Sequence, residues 1–218
     1  MAEQKTNPSA RQVELLEAAY RYALEHGLAD LSLRPLAAAI GSSPRVLMFL
    51  FGNKDGLVRA LLARARTDEL ALLDRLTPNP EGAPPGLVAA TEQVWSWLRI
   101  PEHQPLLRLW AEAYARSLVE PDGPWAGFST ATVNDWLEVL ASCQSPEERD
   151  SGDGVARRTL ALAVLRGCLL DLLATSDDDR VDAALRHHLD LLSNHPPTRA
   201  STLTAVHHPS TARRTQRG

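Results

Sequence analysis

The sequence predicts an all-α fold, on two observations. Leucine and alanine recur at spacings of three and four residues along most of the chain, which is the pattern of a helix with one apolar face. Runs of β-branched or aromatic residues at a period of two, which would indicate strands, are scarce. Hydrophobic residues make up 44% of the 218 positions, enough for a buried core. We therefore expect a globular protein built from helices alone.

Four helices are predicted in the N-terminal third of the chain. They cover about residues 11–26, 32–40, 43–51 and 53–76. The second and third helices are short, and Gly41 between them marks a tight turn, because glycine commonly ends a helix. Ser43 is a natural N-cap for the third helix, and Pro44 suits its first turn.

Five further helices are predicted after a linker rich in proline and glycine at residues 77–86. They cover about residues 87–99, 104–118, 125–143, 155–175 and 179–193. After residue 194 the composition turns to Pro, Ser, Thr, His and Arg, which is typical of a disordered tail. The predicted organisation is a disordered arm (1–10), a three-helix N-terminal domain (11–54), a helical domain (55–194) and a disordered basic tail (195–218).

Charge is distributed unevenly along the chain. Residues 1–66 carry 9 Lys and Arg against 6 Asp and Glu, residues 67–194 carry 10 against 21, and residues 195–218 carry 4 against none. A basic end on an acidic body suits a protein that presents one end to a polyanion. No apolar run is long enough for a membrane span and the N-terminus has no hydrophobic signal region, so we expect a cytoplasmic protein.

The second and third helices form a predicted helix-turn-helix, because two short helices joined by a tight turn have a supporting helix on either side. In this motif the second helix presents its N-terminal side chains to the major groove of DNA. Leu47 and Phe51, four residues apart, would anchor that helix inward. The residues left to face DNA are Arg45, Val46, Met48 and Phe49.

The segment 32–44, followed by Leu47, Phe51, Lys54 and Leu57, closely resembles the N-terminal signature of the tetracycline-repressor (TetR) family. With the first helix, the resemblance covers about residues 11–66, a long pattern with fixed gaps. It implies a homodimeric helical DNA-binding regulator, usually a repressor. It also implies release from a double-stranded, inverted-repeat operator by a small, largely apolar effector bound in the C-terminal domain.

Carried over by position, the resemblance implies DNA contacts along the helix-turn-helix. The implied phosphate contacts are Arg34, Ser43 and Lys54, and the implied groove-facing residues are Pro44, Arg45, Val46, Met48 and Phe49. Arg45 is the best candidate for reading a base, since arginine pairs bidentately with guanine. The chain departs from the family at Met48 and Leu50, where members usually carry Tyr and often His. Either apolar contacts to thymine methyl groups replace polar ones, which we favour, or the helix has lost much of its DNA affinity.

All five tryptophans lie in the middle third of the chain, near Tyr114 and Phe128. Ordinary core packing explains any one of them, but the set suits a ligand pocket, which is mostly apolar with a few polar groups. The candidate pocket residues are Trp95, Arg108, Trp110, Tyr114, Trp125, Phe128 and Trp136. Other candidate polar contacts, each as readily a solvated surface residue, are Glu92, Glu112, Arg116 and Asn134.

The last two predicted helices carry leucines beside small residues, a composition that allows close helix packing. By resemblance to the family this pair forms a four-helix dimer interface, and packing inside one chain is the alternative. The candidate interface residues are Leu160, Val164, Gly167, Leu185, Leu189 and Leu192.

The sequence offers no support for catalysis or metal binding. It contains no nucleophile elbow, phosphate-binding glycine loop or His-Glu metal motif. The two cysteines, Cys143 and Cys168, are far apart and lack metal-type spacing. We therefore expect no catalytic residue, metal or cofactor. The competing hypotheses are, in order, a helical binding module that no longer reads DNA and an enzyme built around the tryptophan-rich pocket.

Overall fold

The computed structural model describes residues 9–28, 30–76 and 82–194, so the predicted N-terminal arm and basic tail fall almost wholly outside the described residues. Within these ranges the fold is all-α, as predicted, with a 3-10 turn at Pro101–His103 and no strand. The helices are α1 (Ala10–His26), α2 (Leu33–Ala39), α3 (Pro44–Phe51), α4 (Lys54–Leu76), α5 (Leu87–Leu98), α6 (Gln104–Val119), α7 (Phe128–Ser142), α8 (Pro146–Asp150), α9 (Gly152–Thr175) and α10 (Asp178–Asn194). None of these helices is both long enough and apolar enough to cross a membrane.

Local sequence signals explain several helix ends. The Ser43 hydroxyl accepts a hydrogen bond from the Val46 N–H at 3.3 Å, so this residue caps α3 as predicted. The Asn53 side chain accepts from the Gly56 N–H at 2.8 Å in the same way at the start of α4. Ser32 precedes α2 without a side-chain capping bond.

Two regions differ from the sequence prediction. α7 begins at Phe128, later than predicted, because Gly127 before it adopts a left-handed conformation with φ 75° that ends any preceding helical turn. The segment 145–154, predicted as a break, contains the short helix α8. Ser145 caps α8 by accepting a hydrogen bond from the Glu148 N–H.

The helices build two hydrophobic cores that meet along α4. This helix contributes Leu57 and Leu61 to the core of the N-terminal helices and Leu72 to the larger core, which α5, α7, α9 and α10 complete. α6 also packs in both cores, through Leu109 in the first and Leu107 in the second. α7 contributes to both as well, through Phe128 in the first and Trp136 in the second. The N-terminal and C-terminal parts are therefore connected by three helices that are common to both cores.

The inward face of α10 belongs to the larger core. Three predicted dimer-interface residues lie there, namely Leu185, Leu189 and Leu192. They are 0%, 8% and 6% exposed, so they pack within their own chain and offer little surface to a second copy, and their assignment to a dimer interface stays a prediction. On α9, Leu160 and Gly167 are exposed and Val164 is half-buried.

Candidate DNA-binding surface and internal cavity

The turn between α2 and α3 is held by backbone hydrogen bonds. The Ser42 N–H donates to the Ala37 carbonyl at 2.8 Å, and the Gly41 N–H donates to the Ala38 carbonyl at 3.4 Å, the pair of bonds that closes a helix in a Schellman motif. Gly41 has φ 65°, a left-handed conformation that other residues rarely adopt. α3 begins at Pro44, so a short and defined turn joins the two helices.

α3 is anchored through its inward face. Leu47 is 1% exposed and lies in the N-terminal core, and Phe51 packs against that core. The Gln12 side chain on α1 donates from Nε2 to the Leu50 carbonyl at 3.1 Å. This bond satisfies one of the carbonyls that the end of a helix leaves unpaired, and it ties α3 to α1.

The opposite face of α3 is open to solvent. Val46, Met48 and Phe49 are 38%, 46% and 86% exposed, and Arg45 is exposed beside them. Such a concentration of exposed apolar side chains on a two-turn helix contributes little to the core, and patches of this kind usually mark a contact surface.

Three exposed cations lie on the three successive helices of this region. They are Arg34 on α2, Arg45 on α3 and Lys54 at the first position of α4. Within the described ranges, none of the three side chains forms an ion pair or a hydrogen bond. The described residues thus leave these charges uncompensated and available to a polyanion. Ser43 and Pro44, the other predicted contacts, stand at the N-terminal end of α3, and the Ser43 hydroxyl can still donate while it serves as the cap.

A half-buried carboxylate connects this region to α6. Glu112 Oε2 accepts a hydrogen bond from the Leu28 N–H, just beyond α1, at 2.9 Å. The same oxygen lies 3.1 Å from the position that a Cβ would occupy if residue 27 carried a side chain. Gly27 also has φ 77°, so both this contact and the backbone conformation favour glycine there. Glu112 was a candidate pocket residue, and the structure places it at the junction of α6 with the end of α1.

An internal cavity of about 50 Å³ lies between α4, α5, α6, α7 and α9. Leucines and aromatic side chains form most of its wall. Three predicted pocket residues line it, namely Trp110, Phe128 and Trp136. Part of the predicted aromatic set therefore lines a cavity. Trp97, which was not among the predicted pocket residues, also lines it.

Four predicted pocket residues lie elsewhere. Trp95 is 2% exposed and donates its ring N–H to α10, and Trp125 packs in the N-terminal core. Arg108 is exposed on α6. Tyr114 contacts Arg166, which lines the cavity, without lining it itself. These four side chains therefore do not line this cavity, and their place in a ligand site stays a prediction.

The sequence analysis missed Glu69, a charged residue of α4 that lines the cavity and is 7% exposed. Its Oε1 accepts from the Trp136 Nε1 at 2.8 Å. Its Oε2 accepts from the Arg66 Nη1 at 2.9 Å and from the Thr132 hydroxyl at 3.4 Å. Arg66 also forms an ion pair with Asp135. The Glu69 carboxylate is therefore fully engaged, as a buried charge requires.

Arg166 on α9 is the second charged residue of the cavity that the sequence analysis missed. Its Nη1 donates to the Tyr114 hydroxyl at 3.5 Å, and its guanidinium carbon lies 5.4 Å from the centre of that ring. Its Nε and Nη2 are buried without a hydrogen-bond partner, as is the Nε1 of Trp110. Burial lowers the pKa of the Arg166 guanidinium from its ordinary value.

A sequence signal for both residues exists. Glu69 stands between Leu62 and Leu72 on the apolar face of α4, and Arg166 stands within the apolar face of α9 next to Leu165. A charged residue within an apolar helix face must be paired or must face a cavity or a ligand. That criterion selects both positions.

Metal and thiol chemistry have little basis in the described part of the chain. No group of three or more His, Cys, Asp or Glu side chains is placed there to hold a metal ion. Cys143 is buried and Cys168 is half-buried. Burial raises the pKa of both thiols, which disfavours the reactive thiolate.

Residues 15–61 match the family model for bacterial regulatory proteins of the tetR family. The match runs from α1 into α4 and contains the whole helix-turn-helix. Solved structures share the fold across both cores. A TetR-family regulator from Cytophaga hutchinsonii has 15% sequence identity and a TM-score of 0.70, over 90% of this chain and 100% of that one. The N-terminal part of the chain therefore matches the TetR family, and the overall fold is that of solved TetR-family regulators.

Other TetR-family structures have the same architecture. A TetR transcription regulator from Haloarcula marismortui has 16% identity and a TM-score of 0.65, over 83% of this chain and 97% of that one. The multidrug binding protein EbrR, in complex with proflavin, has 21% identity and a TM-score of 0.57, over 81% and 98% of the two chains. No curated protein sequence matches the chain.

Proposed function

We propose that this TetR-family protein is a sequence-specific transcription regulator, most simply a repressor, that binds its operator as a homodimer and is released by a small ligand. The observation that carries the proposal is the exposed face of α3. Leu47 holds this helix in the core, while Arg45 and Phe49 on the other face meet only solvent. That is how a recognition helix is presented to the major groove.

The exposed side chains divide into two kinds of DNA contact. Arg34, Ser43 and Lys54 would bind backbone phosphates and so set the position of the protein on the duplex. Arg45 would read guanine through its two parallel N–H groups, and Met48 with Phe49 would contact thymine methyl groups. Pro44 and Val46 would complete the groove-facing surface.

The dimer would form through the outward faces of α9 and α10. Leu160, Leu170 and Leu191 are 53%, 52% and 48% exposed, and Gly167 between the first two allows close approach of a second helix. Two apolar helix faces related by a two-fold axis would give a four-helix interface. Such a dimer would set its recognition helices in successive major grooves about 34–36 Å apart, so the operator would be an inverted repeat.

Release from DNA would depend on α6, which is common to both cores. This helix lines the cavity through Leu107 and Trp110, and it holds the Leu28 N–H through Glu112. A ligand that widens the cavity would displace α6, and Glu112 would carry that displacement to the end of α1. The extent of release is limited by the difference in ligand affinity between the two conformations.

The experiment that tests the proposal is a selection of bound DNA from a random pool by the purified protein at near-physiological salt. The expected result is an inverted repeat, and Arg45→Ala should lose the preference at one position of each half-site. Arg108→Ala, which changes an exposed cation on α6, is the matched control and should select the same repeat. Failure of the folded dimer to enrich any sequence, also at low salt, would contradict the proposal.

A helical binding module without specific DNA recognition is the second candidate. Its support is the exposure of Met48 and Phe49 (46% and 86%) on the helix that would enter the groove. This candidate requires ligand binding together with DNA binding that is weak, salt-sensitive and independent of sequence. The same selection experiment separates the two candidates.

A further inference from the structure

The hydrogen-bonding groups that line the cavity are unbalanced. The oxygens of Glu69 accept from Trp136, Arg66 and Thr132. Among the described residues that line the cavity, the buried side-chain atoms without a partner are Nε and Nη2 of Arg166 and Nε1 of Trp110. All three are donors, so this cavity lacks acceptors.

The two unpaired atoms of Arg166 lie on one edge of its guanidinium. The N–H bonds of Nε and Nη2 run parallel along that edge, at the spacing that matches the two oxygens of a carboxylate. Nη1, on another side of the group, is directed to the Tyr114 hydroxyl at 3.5 Å. The contact with Tyr114 therefore orients the guanidinium and leaves its bidentate edge unpaired.

We propose that the cavity binds an apolar molecule that carries a carboxylate. The carboxylate binds the Nε and Nη2 edge of Arg166, and Trp110 Nε1 supplies a third donor. The apolar body lies against the leucine and tryptophan side chains of α5 and α6, including Trp97 and Leu106. This inference adds a ligand class to the proposed function. It rests on the proposed function only for the consequence of binding, which is the release of DNA.

A cationic ligand fits the same cavity poorly. The solved structures of EbrR contain proflavin and ethidium, which are cationic dyes with an apolar ring system. Here the carboxylate that could attract a cation, Glu69, is already engaged by Arg66, and a cation would leave Arg166 unpaired beside a like charge. A neutral alcohol presents one oxygen and would not occupy both N–H groups of the edge.

The small size of the cavity implies that ligand binding changes the position of α6. The space of about 50 Å³ is far below the roughly 300–1,000 Å³ of a pocket for a drug-sized molecule. Binding must therefore widen the cavity. Because Trp110 belongs to α6 and Arg166 to α9, a carboxylate that binds both donors would hold these two helices at a new separation.

The test measures binding to the full-length protein, without DNA, by calorimetry. The probes are two sets of matched shape: decanoate, decanol and decylamine, and 4-butylbenzoate with its benzyl alcohol and benzylamine analogues. At least one carboxylate should bind at least about tenfold more tightly than its alcohol and amine. Arg166→Met should remove that preference and leave the affinity for the alcohol unchanged, and Arg166→Lys should retain only part of it because lysine lacks the fork.

A control variant and a stability measurement accompany the binding test. Arg108→Met, which replaces an exposed arginine of α6 outside the cavity, should leave the carboxylate preference unchanged. Arg166→Met should unfold at a temperature no lower than the parent, because it removes a buried and unpaired guanidinium. If Arg166→Met does not fold, Arg166→Lys carries the comparison.

The proposal is overturned if an amine is the tightest ligand, if carboxylate and alcohol bind equally, or if neither carboxylate binds below about 1 mM. It is also overturned if Arg166→Met keeps the preference. Its failure is distinguishable from that of the proposed function. A selected operator without carboxylate binding rejects only the ligand class, and carboxylate binding without a selected operator rejects only the DNA-binding role.

Discussion

The helix-turn-helix and the internal cavity place their unpaired polar groups in opposite environments. Arg45 and Lys54 have no ion-pair partner among the described residues, but they are exposed, so water solvates them and the folded protein loses little stability. Arg166 and Trp110 keep unpaired N–H groups away from water, which costs about 1–3 kcal/mol for each group. The first region can meet a polyanion without rearrangement, whereas the second would gain its missing hydrogen bonds from an acceptor bound in the cavity.

The two arginines of the larger core sharpen this comparison. Arg66 donates to Glu69 at 2.9 Å and pairs with Asp135, so it belongs to a satisfied network that holds α4 to α7. Arg166 has the Tyr114 hydroxyl as its hydrogen-bond partner, and Glu69 on the cavity wall attracts it without forming a hydrogen bond to it. A buried arginine with its own carboxylates is structural, and one without them is a candidate ligand contact.

The largest predicted effect is on the satisfied network. Glu69→Ala should lower the free energy of unfolding by about 3–5 kcal/mol, because it leaves Arg66 and the Trp136 ring N–H without their buried acceptor. Glu69→Gln keeps one acceptor oxygen and should lower the free energy of unfolding by clearly less. Urea unfolding followed by circular dichroism measures both. A loss below about 1 kcal/mol for Glu69→Ala would show that this network does not hold the core.

The second prediction compares two faces of one helix. Leu47→Ala should cost about 2–5 kcal/mol of unfolding free energy, because the side chain is 1% exposed and its removal leaves a cavity. Phe49→Ala, two positions on and 86% exposed, should change it by no more than about 0.5 kcal/mol. Equal losses in urea unfolding would mean that α3 does not present this face to solvent.

The third prediction concerns the exposed cations. Arg45→Ala should weaken binding to the selected operator by about 1–3 kcal/mol and relax the preference at one base pair. Lys54→Ala should weaken binding to all sequences and reduce the slope of log affinity against log salt by about one. Fluorescence anisotropy at several salt concentrations measures both, with Arg108→Ala as the unchanged control. An Arg45→Ala variant with parental affinity would remove this residue from the recognition surface.

The smallest effect is expected at Asp182, which accepts from Trp95 and pairs with Arg99 and Arg186. Burial opposes its charge, but these partners outweigh burial and hold the pKa of this carboxyl below its ordinary value. Because the folded pKa is depressed, the stabilisation is present above the unfolded value of about 3.9 and is lost as the pH falls through the folded one. Asp182→Asn should cost about 1 kcal/mol at neutral pH.

The pH dependence gives the check on Asp182. The difference in unfolding free energy between the parent and Asp182→Asn should shrink as the pH is lowered from about 6 towards 3, since protonation then removes the same charge. A difference that stays constant across this range would show that hydrogen-bond geometry, rather than the carboxylate charge, makes the contribution.

The helix-turn-helix could be predicted from sequence because its signals are local. A capping serine at Ser43, a glycine at Gly41 and the spacing of Leu47 and Phe51 each act within one or two turns of chain, and the structure has all of them where the pattern put them. The same applies to most helix ends. Among the described α-helices, α8 was missed, because its single turn has no apolar face to reveal it, and so was the 3-10 turn at Pro101–His103.

The cavity could be predicted only in part, because it depends on which helices meet. Periodicity places Trp95 on the apolar face of α5, but it does not reveal which helix the ring N–H contacts. In the structure that N–H is directed to α10. The leucines of α10 show the same limit, since an apolar face predicts burial without telling whether the same chain or a second copy covers it. Leu185, at 0% exposure, is covered by its own chain.

The central claim is that α3 reads a DNA sequence, and the most direct measurement is the ratio of two affinities. The purified protein is titrated with the duplex recovered by selection and with a scrambled duplex of the same composition, at near-physiological salt. The account predicts that the recovered duplex binds at least about 1,000-fold more tightly. Equal affinities, both falling steeply with added salt, would contradict specific recognition and leave a helical ligand-binding protein.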